Sequence, residues 1–255
     1  MVDKKNNSTP AGEEHDPSRR KFIKNTGIAT GGVIGGTILG ALIGNPFKSE
    51  ESSTTKDSKD DVHFSETRMF FSRFEDFKVL SEATERIYPE DDNGPGAIGL
   101  GVPFFIDKQL AGAYGSNKND YMKGPVQKVE GINTYQTLMT RGDVFIEGLR
   151  KMNAESQNRH DTKFYDLEAE QKDEILQDLS EGKIKLVGVE ATTFFKLLRD
   201  MTIEGAYADP LYGGNKNMEG WKMKEHPGIR ASYMDLIDSE DFEKLDPISL
   251  RDYQQ

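Results

Sequence analysis

From residue 74 onward the apolar residues recur at steps of three and four, and nowhere do they alternate with polar ones long enough to line a sheet face. That regularity confines the folded part to helical architectures. In "FEDFKVLSEATERIYPEDD" (74–92), Phe77, Leu80, Thr84 and Ile87 with Tyr88 form one apolar stripe, and Pro89 predicts its end because a residue before proline avoids the helical conformation. A glycine-rich turn follows at 90–101. "VPFFIDKQLAGAYG" restarts a helix with Pro103 in its first turn, where a missing N–H costs nothing, and Gly112 or Gly115 can end it.

Three more helices are predicted, over residues 133–157 (Tyr135, Leu138, Met139, Phe145, Leu149, Met152), 166–183 (Ile175, Leu176, Leu179) and 188–207 (Phe194, Phe195, Leu197, Leu198, Met201). Asp166 is the candidate N-cap and Gly182 the stop of the middle one. The expected class is mainly α, an irregular helical domain with long loops over residues 64–235. An acidic tail, 236–255, either drapes over something or stays disordered.

The chain's positive charge is concentrated at its start. Six Lys and Arg against four acids occupy the first 24 residues of a chain with net charge -11. "SRRKFIKNTGIATGGVIGGTILGALIGNPF" (18–47) is a basic head on a weakly apolar, glycine-rich run with no charge from Asn25 to Phe47. Ser18, Arg19, Arg20, Phe22, Ile23 and Lys24 resemble the twin-arginine export pattern, a signal for proteins that cross a membrane already folded. No Ala-x-Ala site follows, and the uncharged run is long enough to span a bilayer, so residues 1–47 read as a signal or an uncleaved anchor. Residues 48–63, rich in Ser, Thr, Lys and acids, read as a disordered linker.

Composition removes several functions. The acidic balance and the lack of a basic stripe exclude a nucleic-acid ligand. With no Cys, disulfides, Cys-ligated iron–sulfur clusters, Cys-attached haem and thiol nucleophiles are excluded. His15, His63, His160 and His226 have no metal-ligand spacing. "DDNGPG" lacks the ladder of a calcium loop, and the glycine clusters at 31–36 and 94–101 sit in no βαβ unit. No catalytic, cofactor-binding or metal residues are nominated.

One stretch gathers rare residues, "GAYADPLYGGNKNMEGWKMKEHPG" (205–228), with the only Trp, two Tyr and a His. Asp209 with His226 could do acid–base work. Equally, Asp209-Pro210 starts a turn, Gly213-Gly214 permits positive φ, and Asn215 can bond nearby backbone. Tyr207, Tyr212 and Trp221 suit an interface anchor as well as loop packing.

Three blocks, residues 82–112, "YDLEAEQKDEILQDL" and the stretch from Phe194 to Gly228, resemble the gluconate 2-dehydrogenase subunit 3 family, and the Asp-Pro-x-Tyr-Gly-Gly-Asn…Gly-Trp block carries the resemblance most specifically. It implies a small, non-catalytic accessory subunit of a membrane-associated, FAD-dependent dehydrogenase of gluconate or a related sugar or sugar acid. The large flavoprotein, of the glucose-methanol-choline type, holds the FAD, and a cytochrome subunit with haem often takes the electrons. The small subunit binds no cofactor. It supplies the signal read by the twin-arginine translocase and helps its partner mature at the outer face of the cytoplasmic membrane. Without Cys, this chain makes no disulfide to the flavoprotein. Tyr207, Asp209, Pro210, Tyr212, Gly213, Gly214, Asn215, Trp221 and His226 are expected at the partner interface. The residues alone also fit a stand-alone exported oxidoreductase, or a membrane-tethered envelope binding protein with no dehydrogenase partner.

Overall fold

The computed structural model describes residues 66–125, 137–239, 241 and 243–254, all within the unit His63–Gln255. The export pattern at Ser18, Arg19, Arg20, Phe22, Ile23 and Lys24, the uncharged run, the linker, and Tyr135 lie outside the described residues. Six α-helices and no strand occur among them: α1 (Phe74–Ile87), α2 (Val102–Ala111), α3 (Arg141–His160), α4 (Ala169–Ser180), α5 (Ala191–Tyr207) and the single turn α6 (Glu219–Lys222).

The helices pack because each stripe must leave water. Leu80, Ile106, Leu149, Ile175, Leu176, Leu179 and Leu198 are fully enclosed with Phe145, Phe164 and Phe194. Each contributes about 1.5–3 kcal/mol by burial. α5 packs against all five other helices, and Phe145 of α3 meets Phe194 of α5 edge-on at 5.9 Å.

Three helix starts differ from expectation: α5 begins at Ala191 rather than 188, with no side-chain cap, and the other two share a reason. α3 begins at Arg141 rather than near 133, because Thr140 caps it: its hydroxyl accepts from Asp143 N at 3.2 Å, and Thr140 N donates back to the Asp143 carboxylate at 3.3 Å. Leu138 therefore lies outside the helix and is exposed. α4 begins after Glu168, whose N–H donates to the Gln171 side chain at 3.1 Å, while Asp166 sits in a preceding 3-10 turn and not at the cap. Side chains placed three residues apart fix both starts.

Polar ties orient the bundle. The buried Asp107 carboxylate of α2 accepts the backbone N–H groups of Met69, Phe70 and Phe71, pinning the entering chain to the core. Arg86 of α1 grips Asp173 of α4 with two bonds of 2.8 and 2.6 Å, and Lys172 reaches Glu82 at 2.7 Å. Glu85 accepts from Glu90 N and Ile98 N at 3.0 and 2.8 Å, holding the glycine-rich turn ahead of α2. No helix among the described residues is long and apolar enough to cross a membrane.

Candidate functional site

Helix α5 ends at Tyr207 with backbone carbonyls that have no partner inside the helix. The stretch 208–228 supplies the missing donors. Asn215 N reaches Gly205 O at 2.9 Å, and the Trp221 indole N–H reaches Tyr207 O at 2.8 Å. A third bond ties the stretch to the turn before α2, from Lys216 N to Leu100 O at 3.0 Å. The loop lies so close to α5 that a Cβ on Gly214 would stand 2.2 Å from the Gly205 carbonyl oxygen, which no larger residue survives.

The loop shapes itself through its polar side chains. Asp209 is a buried carboxylate with three donors: Leu211 N at 2.9 Å, Ser249 Oγ at 2.8 Å and Leu250 N at 2.8 Å. The first starts the 3-10 turn Pro210–Tyr212, and the other two bring in residues 40 positions away or more. The returning segment also pairs beside Gly228, through Ile229 N to Ile248 O at 2.8 Å and Ile248 N to Pro227 O at 3.2 Å. Asn215, fully buried and left-handed at φ 46°, accepts the Gly220 N–H at 2.7 Å. Asn217 and Met218 are left-handed too, at φ 56° and 59°. Such backbone is held by its surroundings rather than by preference.

The nine residues expected at a partner surface are thus divided by the fold. Asp209, Gly213, Gly214, Asn215 and Trp221 are buried within the chain, where they shape the loop. Tyr207 and Pro210 are half-buried, and the Tyr207 hydroxyl meets that of Tyr88 at 3.0 Å. Tyr212 is 51% exposed, Leu211 beside it 36%, and His226 is exposed with its ring against Trp221 at 5.4 Å. Asp209 spends both oxygens on structural donors and makes no bond to His226. Of these residues the Tyr212 side chain, with Leu211 beside it, and His226 reach the surface, while the indole is enclosed.

Sequence reasoning missed Lys108, which passes under Gly213, and Ser249 and Leu250, which close Asp209. Their separation in the chain gives no local signal. Among the described residues no group of three or more His, Asp or Glu is placed to hold a metal ion.

No curated protein and no solved structure matches the chain. The family model described as gluconate 2-dehydrogenase subunit 3 matches residues 75–228. That span opens at the second residue of α1 and closes at Gly228, so it takes in the core of the bundle and the whole loop that caps α5. The chain belongs to the gluconate 2-dehydrogenase subunit 3 family.

Proposed function

We propose that this chain is the accessory subunit of an FAD-dependent dehydrogenase acting on gluconate or a related sugar or sugar acid. It binds the large flavoprotein, contributes no catalytic group, and carries the twin-arginine signal that exports both chains folded. The flavoprotein holds the FAD, a cytochrome subunit with haem receives the electrons, and the complex works at the outer face of the cytoplasmic membrane. The family match over residues 75–228 carries this reading, since that family is named as a subunit of gluconate 2-dehydrogenase. Two further observations support it. Ser18, Arg19, Arg20, Phe22, Ile23 and Lys24 form an export pattern suited to pre-folded cargo. The 205–228 loop commits the Asp209 carboxylate and the Asn215 side-chain oxygen to its own shape, while its tip stays exposed, as a rigid docking surface requires.

The mechanism is association. A preformed tip loses little conformational freedom on binding, so more of the contact energy appears as affinity. The test is to replace Arg19 and Arg20 by Lys in the full chain and follow the flavoprotein. Both proteins are expected to accumulate inside the cell. Continued export of the flavoprotein would sink the shared-signal part, and a chain that co-purifies with no flavin-containing protein would sink the accessory-subunit reading.

A further inference from the structure

Lys108 leaves α2 on the turn after the buried Asp107 and runs beneath the loop tip. Its amine lies 2.7 Å from where a Cβ on Gly213 would stand. Gly213 has φ 96°, so a side chain there would be strained as well as in the way. The glycine leaves a passage that the lysine fills. The 3-10 turn Leu250–Gln254 packs against Pro210–Tyr212 and carries Arg251, whose backbone N–H donates to Ser249 Oγ at 3.2 Å while the preceding Leu250 N–H donates to Asp209. No carboxylate among the described residues forms an ion pair with Lys108 or Arg251.

Two cations thus border the same loop tip, Lys108 half-buried and Arg251 exposed, in a chain of net charge -11. Burial holds the Lys108 amine below the usual lysine value, the Arg251 guanidinium pushes the same way, and only Asp107 opposes them. A half-buried charge with no opposite charge in contact costs the free chain stability. Lysine 108 could shed that cost by being any unbranched apolar residue. The cost is recovered if the opposite charge arrives from outside.

We propose that Lys108 and Arg251, bordered by the exposed Leu211 and Tyr212, capture an aspartate or glutamate side chain of the flavoprotein. The proposal rests on the accessory-subunit reading and names the chemistry of the contact within it. Tyr212 and Leu211 provide apolar area that excludes water around the pair, which strengthens the attraction. The net charge of -11 disfavours carboxylates elsewhere on the chain, so the two cations also fix the register in which the partner docks.

The test uses the full chain, the flavoprotein recovered from the native complex, and the variants Lys108→Met, Arg251→Gln and both together. Affinity is measured at several salt concentrations and melting temperature is measured on each free chain. Each single change is expected to weaken the complex by roughly tenfold or more, and the double variant to flatten its salt dependence. Lys108→Met should leave the melting temperature of the free chain unchanged or raise it. A double variant that binds like the native chain overturns this assignment while leaving the accessory-subunit reading intact. A native chain that binds no flavoprotein overturns both. A Lys108→Met chain that melts lower shows a structural lysine and overturns the proposal. Binding of gluconate or acetate to the isolated chain, lost in the double variant, assigns the cations to a small anion instead.

Discussion

At the scale of single residues, the loop behaves like a piece of core turned out to the surface. Trp221 was attractive as a partner anchor because of its size, yet it is 6% exposed and its indole N–H is committed to Tyr207 O. Replacing it by Ala should therefore cost about 3–5 kcal/mol of stability, as for a buried aromatic, and lower the melting temperature even with no partner present. A variant that melts like the native chain would show that the loop is not held by this residue. Tyr212→Ala should do the opposite, with little change in melting temperature because half its surface is already in water. Composition singled out this stretch but not which of its side chains face inward. Asp209 illustrates why: its inward role depends on Ser249 and Leu250, and nothing near position 209 announces them.

At the scale of elements, period and punctuation carried most of the information. The stripe Phe77, Leu80, Thr84 and Ile87 does become the buried face of α1, and Pro89 follows its last turn closely. Pro103 sits in the first turn of α2 and Gly112 at its C-cap, as the spacing predicts. The start of α3 was misread because apolar residues at 135 and 138 mimic one more helical turn, whereas the reciprocal Thr140–Asp143 bonds set the true boundary. Thr140→Ala should accordingly cost about 1 kcal/mol, read as a lower midpoint in denaturant with an unchanged slope. No loss would mean that packing of Val144 and Phe145 alone defines this end.

For the molecule as a whole, paired carboxylates set the response to acid. A hydrogen bond from Lys163 holds Glu75 below its ordinary value of 4.5, against the pull of desolvation and with help from Asn153. Lys151 does the same for Glu155. Carboxylates lowered by folding lend stability above their unfolded value, and that stability is lost as pH falls through the lowered value. Glu85 and Glu204 run the other way. Burial raises both, so their penalty appears as pH rises past 4.5 and disappears in acid. The lowered carboxylates, Glu75, Glu155, Asp178 and Glu181, outnumber these two, so the melting temperature should hold from neutrality to about pH 5 and fall below pH 4.5. Lys163→Met should lessen that fall, because Glu75 then loses the largest of the contacts that lower it and keeps only Asn153 and Arg73. An unaltered profile in the variant would remove the Lys163–Glu75 pair from the acid response.

The Asp209 clasp has a temporal side. Its two distant donors belong to residues 249 and 250, whereas the helices it serves are complete by residue 207. During synthesis the bundle can therefore pack while the loop still has an open carboxylate at its root. Only when residues 249 and 250 have left the ribosome does the tip acquire its final form. Connectivity alone thus imposes an order of events, in which the surface that faces outward is finished after everything beneath it.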